Sequence, residues 1–432
     1  MPVEIYSFLS HLSVIHILMK HMNLKAILLF SVAVLLICTR CSKNPDENLP
    51  KEPVKINLDA AQTTLVESGN SFAFDIFRKV IESSESTQNV MISPLSISYA
   101  LSMTLNGANG ATRDSMLKAL RVSGITPDEI NSSYKNLTDA LLNVDSRVKM
   151  SIANSVWTKN NFPVKKPFID ILTSYYDAES RQFDINDPTV PTQINNWISD
   201  KTNGLIKNMV DNLDDKTVML LINAIYFKGK WKSEFDTDNT ITTSFNKPDG
   251  TVSVPIMKQK SDFKVYIGDG FRLGEFPYGQ GNFVMDIILP DAQDGIAAIL
   301  PTVTNASFSS WLNNLSTQEV NLSLPRFKYG FKKELTDVLT DMGMGIAFSD
   351  AADLTNIADA SLKISIVLHQ SFIETNEEGT EAAAATVVGI IATVANPLVI
   401  NFNVDHSFLY IIRETTTNTI LFMGRVSDPS AS

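Results

Sequence analysis

The sequence predicts an α+β fold carrying large antiparallel or mixed sheets. Three observations predict it. Helical patterns come early and strand patterns late, without the regular alternation that builds βαβ units. The 432 residues are 44% hydrophobic, enough for a large core, and the length allows one large domain as well as two or three. Past residue 60 the chain holds no internal repeat and no stretch with the composition of a linker.

Taken in order, Ser68 to Glu85 has the spacing of an amphipathic helix, with Phe72, Phe74, Ile76, Phe77, Val80 and Ile81 apolar. Asn89 to Ile92 is a short apolar strand. Ser93-Pro94 joins a capping hydroxyl to a proline in the first turn, so Leu95 to Leu105 continues as a helix that Gly107 stops. Helices follow near Thr112 to Leu120 and Tyr134 to Leu142, and Lys149 to Lys159 alternates as a strand. A helix surrounds Trp197, with a turn at Asn203-Gly204. Thr217 to Lys228 is a strand richer in apolar residues and is expected to be central. From Thr240 onward strands dominate, among them "FVMDIILP", ended by Pro290, and Glu319 to Phe327. Lys333 to Met342 reads as a helix; Leu398 to Phe402, Phe408 to Arg413 and Ile420 to Val426 read as closing strands.

The net charge of −11 and the lack of any basic run longer than two residues argue against nucleic acid as a partner. Both cysteines, Cys38 and Cys41, lie near the N-terminus, which leaves the body without a disulfide or a cysteine metal site. Of the histidines, only His369 and His406 fall in the body. No nucleophile elbow, HExxH zinc helix or P-loop occurs, and no cofactor is expected. Asp405 adjoins His406, but neighbours in a strand point to opposite faces, so a structural histidine is the better reading than a catalytic base.

Lys20 to Lys25 is a small basic region, and Ala26 to Cys38 is thirteen nearly pure apolar residues. That run is too short to span a bilayer of ~30 Å at ~1.5 Å per residue. It fits the apolar core of a secretory signal, with Met19 or Met22 as alternative starts. Cys41, followed by a polar tether, resembles the lipidated cysteine of a bacterial lipoprotein signal, although Arg40 stands where such signals carry a small residue. Lipid anchoring and simple secretion both take the protein out of the cytoplasm. The chain thus divides into a signal segment at 1–41, a linker at 42–61 and a body at 62–432.

One stretch, "EEGTEAAAATVVGIIATVANPLVINF", fits neither pattern. Its front half is helix-friendly and its back half β-branched, and Ala382 to Val404 carries no charge. A membrane span is disfavoured by Asn396-Pro397, Asn401 and Asn403. The alanine run is poor material for an ordinary buried strand pair. An exposed loop able to become a strand remains.

Six stretches, in order, resemble the serpin family: "NVMISPLSISYALSMTLNGANGAT", "INNWISDKTNGLI", "LINAIYFKGKWKSEFD", "LSLPRFKYGFKKELTDVLTDMGM", "IETNEEGTEAAAAT" and "DHSFLYIIRETTTNTILFMGRVSDP". The resemblance covers about residues 62–428. It implies three β-sheets with eight or nine helices, and an exposed reactive-centre loop that inserts into the largest sheet once a protease cuts it. Serpin loop insertion is itself a standard example of strand addition and of released strain.

On this basis Glu378, Gly379, Thr380, Glu381, Ala382, Ala383, Ala384, Ala385 and Thr386 are the hinge, with Gly379 the pivot. If Glu381 faces water after insertion, the even-numbered residues Thr380, Ala382, Ala384, Thr386, Val388 and Ile390 face inward, and none is charged. About fourteen inserted residues at ~1 kcal/mol net per bond give a gain on the order of 10–20 kcal/mol. The resemblance further implies that Ser93, Ser96, Asn223 and His369 form a polar cluster beneath the opening sheet, and that Trp231 packs where the loop enters. Plain core packing is the alternative for each. Counting from the hinge places the reactive bond at Thr393–Val394; counting back from "DHSF" places it near Asn396–Pro397, with Ala392 and Ala395 between or beside them. The uncharged flanks suit an elastase-like serine protease, and cysteine proteases with shallow pockets remain open. The implied protein is a monomeric inhibitor, not an enzyme, and it touches a membrane only through a lipid on Cys41. A non-inhibitory carrier, chaperone or structural serpin is the alternative.

Overall fold

The computed structural model describes residues 53–380 and 399–431, which belong to one compact unit, Glu52–Ser432. The signal segment, most of the linker and residues 381–398 lie outside the described residues. Among the described residues there are nine α-helices and three sheets, an α+β architecture.

The helices are α1 (Ala60–Glu82), α2 (Pro94–Leu105), α3 (Gly110–Ala119), α4 (Pro127–Asn143), α5 (Lys166–Tyr176), α6 (Val190–Lys201), α7 (Ile296–Ile299), α8 (Asn305–Asn313) and α9 (Thr336–Leu339). Helix α1 starts at a capping box between Asp59 and Gln62 and buries Phe72, Phe74, Ile76 and Phe77. Ser93 caps α2 by accepting from the Ser96 amide, with Pro94 in the first turn. A Thr126–Glu129 capping box starts α4.

The strands are β1 (Val90–Ile92), β2 (Val148–Lys159), β3 (Glu179–Phe183), β4 (Met219–Gly229), β5 (Ile241–Lys247), β6 (Gly250–Ile267), β7 (Phe271–Tyr278), β8 (Phe283–Pro290), β9 (Ser316–Pro325), β10 (Phe327–Glu334), β11 (Leu368–Thr375), β12 (Ile400–Asn403), β13 (Phe408–Glu414) and β14 (Ile420–Val426). The nine-stranded sheet runs β1-β14-β13-β8-β7-β6-β9-β12, with β5 beside β6. It anchors the main core through Phe276, Phe283, Tyr410 and Met423. At its heart Arg413 Nε donates to Asp286 Oδ2 at 2.7 Å, and Arg413 Nη2 to Glu275 Oε2 at 2.5 Å. Burial pushes the Asp286 carboxyl up to about 7 despite the opposing pull of Arg413.

Two small sheets, β3-β2-β4 and β10-β11, complete the body. Here two sequence expectations are corrected. Strand β4 is not central among the described residues; β2 pairs with one of its edges and no strand with the other. Its apolar richness reflects two covered faces. Ile225 and Phe227 enter the main core, whereas Ile222 and Ala224 join a second cluster with Trp157, Trp197 and Ile198. Burial on both faces enriches apolar residues whether or not both edges are paired. The helix expected over Lys333–Met342 begins only at Thr336, because Lys333 and Glu334 extend β10, whose Phe327, Tyr329 and Phe331 alternate inward; past Leu339 it continues as a π-helical stretch over Thr340–Met344.

Candidate functional site: the cleft between β4 and β11

Strand β11 is bound on one edge by β10, as β4 is by β2, and no strand pairing joins β4 to β11 among the described residues. The two open edges flank a cleft. Ile225, Phe227, Phe372, Ile373 and Thr380 line one part of it. Farther along, a cavity of about 150 Å³ opens between residues 218–223 and 368–370, floored by α2.

The chain leaving β11 closes the first end. Residues Asn376 to Gly379 form a tight turn, with each of these two residues' amides donating to the other's carbonyl, at 2.9 and 3.1 Å. The turn then rests on the end of β4. Gly379 and Lys230 form an isolated antiparallel bridge, Trp231 N donates to Glu378 O at 2.7 Å, and Thr380 N donates to Gly229 O at 2.7 Å. Gly379 has φ +141°, and a Cβ there would fall 2.2 Å from the Gly229 carbonyl oxygen, so only glycine fits. Trp231 stacks on Tyr278 at 4.4 Å and 11°, and its Nε1 donates to Asn376 O at 2.9 Å. The Tyr278 hydroxyl, whose pKa burial raises, shares a hydrogen bond with Thr380 Oγ1 at 3.0 Å.

Glu377 pins this turn from the other side. Arg326 Nε donates to both of its carboxylate oxygens at 2.8 Å, and Thr240 Oγ1 donates to Oε1 at 2.5 Å. Burial pushes the Glu377 carboxyl up, but the Arg326 and Thr240 bonds outweigh it and leave the group below its ordinary value. Beside it, Glu378 Oε2 lies 4.0 Å from Lys230 Nζ.

The middle of the cleft is polar. His369 Nε2 accepts from Ser93 N at 3.1 Å, which places the ring proton on Nδ1, and Ser93 Oγ donates to Leu421 O at 2.8 Å. Burial pushes the His369 imidazolium down to about 4, so the ring is neutral at neutral pH. Ser93 Oγ also accepts from Ser96 N at 3.3 Å. Asn223 stands on the opposite wall. Its Nδ2 donates to Asn154 Oδ1 at 2.7 Å, and Asn154 Nδ2 donates to Tyr176 O at 2.7 Å. Asn223 Oδ1 is buried without a partner.

A strap crosses the cleft. The connection from α6 to β4 bonds to the far half-sheet: Gln370 Nε2 donates to Lys207 O at 3.1 Å, and Lys332 Nζ reaches Asn208 O at 3.0 Å and Asp211 Oδ2 at 2.8 Å.

Of the residues singled out from sequence, Ser93, Ser96 and His369 are hydrogen-bonded together, and Asn223 lines the same cavity as Ser96 and His369 but bonds elsewhere. Trp231, Glu378, Gly379 and Thr380 meet at the cleft's end. Cys41, Glu381, Ala382, Ala383, Ala384, Ala385, Thr386 and the reactive-bond candidates Ala392, Thr393, Val394, Ala395 and Asn396 lie outside the described residues.

One argument is overturned. Asp405 and His406 do meet, Oδ1 to Nδ1 at 2.7 Å, because they sit in the link between β12 and β13 rather than within a strand. His406 Nε2 donates to Pro290 O at 2.8 Å, so the ring ties two chain segments together. Sequence reasoning missed Tyr278, Glu377, Arg326 and Asn154. Only Glu377 carried a usable signal, as an acid directly before the expected hinge.

Comparison with known proteins shows the family. The family profile described as serpin (serine protease inhibitor) matches residues 67–429. The chain belongs to the serpin family. Neuroserpin of Gallus gallus is 37% identical over 363 residues, which is 80% of this chain and 87% of that protein. The native-state crystal structure of tengpin, a thermophilic serpin, superposes with a TM-score of 0.78 at 30% identity, covering 87% of this serpin and 96% of tengpin. Human thyroxine-binding globulin, crystallised with its hormone, gives a TM-score of 0.78 at 25% identity, covering 86% of this serpin and all of that chain. Among the described residues of this serpin no helix is long and apolar enough to cross a membrane, and no cluster of potential metal ligands occurs.

Proposed function

We propose that this serpin inhibits extracellular serine endopeptidases as a suicide substrate, trapping the enzyme when its cut loop enters the cleft between β4 and β11. One observation carries the reading: the antiparallel pairing of Gly379 with Lys230 at the end of two strands whose facing edges are unpaired. An entering strand needs that direction and those open edges. Continuing the register pairs Thr380 with Gly229, Ala382 with Phe227, Ala384 with Ile225, Thr386 with Asn223 and Ile390 with Met219. Residues directly opposite share a face. Ile225 and Phe227 belong to the main core, so the even-numbered loop residues face inward. The small residues come first, where Gly379 touches β4, and Val388 and Ile390 arrive at the 150 Å³ cavity.

The reactive bond is placed at Thr393–Val394, with Ala392, Ala395 and Asn396 as neighbouring choices. Its uncharged surroundings favour an elastase-like enzyme over one with a basic specificity, and cysteine proteases with shallow pockets are a further class. Ser93, Ser96, Asn223, His369 and Trp231 act as gating residues rather than catalysts, and the protein performs no chemistry on the enzyme beyond being its substrate. It works outside the cytoplasm, secreted or held by a lipid on Cys41. The alternative, a carrier serpin, draws on the likeness to thyroxine-binding globulin. Incubation with pancreatic elastase decides between them. A complex that survives SDS is expected; complete cleavage without complex formation removes the inhibitory reading for that enzyme class.

A further inference from the structure

We propose that Asn282 is a positioning residue for strand entry: it fastens the segment Pro53–Ile56 to the turn between β7 and β8, and through that turn it holds Thr380 on the first rung beside β4. The effect on entry rests on the inhibitory reading above; the positioning does not.

Residues 53–56 fall in the stretch whose composition reads as a linker, but they are tied to the body. Asn282 is fully buried, and its side-chain amide pairs with Val54 as the peptide group of a neighbouring strand would. Val54 N donates to Asn282 Oδ1 at 2.9 Å, and Asn282 Nδ2 donates to Val54 O at 2.7 Å. Nδ2 also donates to Glu414 Oε1 at 3.4 Å. Turning the amide over would set its oxygen against two acceptors, so its orientation is fixed. Two residues on, Ile56 N donates to Thr416 Oγ1 at 3.0 Å, and the Ile56 side chain joins the main core. Pro53 lies against Gly281: a Cβ added there would fall 3.5 Å from Pro53 Cγ and 3.5 Å from Lys232 Nζ.

The other side of the same turn carries the entry end of the cleft. Gly279 N donates to Lys230 O at 2.7 Å and Lys232 N donates to Pro277 O at 2.8 Å, which brackets Trp231. The Trp231 ring stacks on Tyr278, and the Tyr278 hydroxyl is bonded to Thr380 Oγ1. The turn has little of its own to hold it here. Gly279 has φ +53°, and a Cβ on it would fall 2.5 Å from Asp145 Oδ2, so a side chain is excluded at that corner. Its position depends on the segments that grip it from outside, and Pro53–Ile56 is one of them.

The consequence for entry is preorganisation. Thr380 N already donates to Gly229 O, the first rung of the strand to come. Fixing a residue's backbone carries an entropic cost, and a rung seated beforehand removes that cost from the step in which the loop enters. With the fastening lost, Thr380 is seated for less of the time. Entry then falls behind completion of cleavage, and more serpin is turned over as plain substrate.

Substitutions in the full chain test this. Val54→Pro removes the N–H that Asn282 accepts without disturbing a buried side chain, since Val54 is 42% exposed; Val54→Ala keeps the N–H. After reaction with elastase, Val54→Pro should raise the ratio of cleaved serpin to SDS-stable complex about 2- to 10-fold, the factor one net hydrogen bond supplies. The rate of loop cleavage should not change, and Val54→Ala should match the wild type. In the uncut chain Val54→Pro should shift the Trp231 emission, read as the difference from the same chain carrying Trp231→Phe. Asn282→Ala, which removes both bonds to Val54, should move both readouts further. A merely structural bond would lower the urea midpoint and leave both where they were. An unchanged Trp231 signal overturns the positioning. A shifted signal with an unchanged or lower ratio of cleaved serpin to complex overturns its part in entry. If cleavage of the wild type brings neither complex nor a rise in Tm, the insertion reading fails, and a shifted Trp231 signal leaves the positioning standing.

Discussion

Placing a single carboxylate on one or the other face of the entering strand tests the register directly. In the proposed register Ala384 comes to lie opposite Ile225, which is 7% exposed and part of the main core, whereas Ala383 lies opposite Tyr226 on the other face. Ala384→Glu would carry a charge into apolar surroundings without a partner, at a cost of ~3–5 kcal/mol. Only four residues, Thr380 to Ala383, would be seated at that moment. At two bonds per residue and roughly 0.5–1 kcal/mol net per bond, they contribute about 4–8 kcal/mol. The penalty is thus of the same order as everything gained so far, and it falls on the barrier. It should slow entry by about 10²–10⁴-fold, since ~1.4 kcal/mol is a factor of ten in rate. Ala383→Glu should change the rate by less than about 10-fold.

The assay is the ratio of SDS-stable complex to cleaved product after reaction with elastase, followed by a melting curve of the cleaved protein. Full insertion along the eleven residues of β4 brings ~10–20 kcal/mol. With an unfolding entropy of roughly 0.8 kcal/mol/K for a body of about 370 residues, Tm should rise by about 12–25 °C. Wild type and Ala383→Glu should give complex and the rise in Tm; Ala384→Glu should give mainly cleaved product. Equal behaviour of the two variants, or the reverse order, would refute the register.

The neutral His369 makes a pH prediction. Its folded pKa is pushed down to about 4 by burial, below the ~6.5 of an unfolded chain. Stability is therefore unaffected above about pH 6.5 and is lost as pH falls toward 4, by ~3 kcal/mol in all; urea denaturation of wild type against His369→Gln should show the loss in the former and a flatter profile in the latter. Glu377 has the carboxylate sign: its depressed pKa adds stability near neutrality that disappears as pH falls through its ordinary range and below. Glu377→Gln should lower stability at pH 7 by ~1–3 kcal/mol, through loss of the charge-assisted bonds to Arg326, and should differ little from wild type at pH 3. Gly379→Ala should separate the turn from β4, because its Cβ would meet the Gly229 oxygen at 2.2 Å, and a shift in Trp231 fluorescence should report it.

Local signals in the chain were strong where chemistry is local. Ser93-Pro94 announces the start of α2, and the apolar spacing around Phe72 to Ile81 announces α1. The α+β class followed from helices preceding strands. Less legible were α5, β3 and β11, which went unread, and β10, of which only Phe327 was read as strand while Lys333 and Glu334 were given to the helix that follows. A short strand such as Leu368 to Thr375 has too few residues for its period to stand out. What makes it a strand is β10, paired residue for residue from Phe327–Thr375 to Glu334–Leu368.

By itself, then, the sequence determined which segments are apolar, where α2 begins, and that Gly379 precedes a run without charge. The tertiary structure alone decided that β4 and β11 keep open edges, that Trp231 stacks on Tyr278, that Arg326 holds Glu377 from 51 positions away, and that Asn223 turns to Asn154 and leaves its oxygen unpaired. The physical reason is separation along the chain. Caps and periodicities are satisfied within a few residues, whereas edge pairing and buried hydrogen bonds depend on which distant segments arrive at the same place.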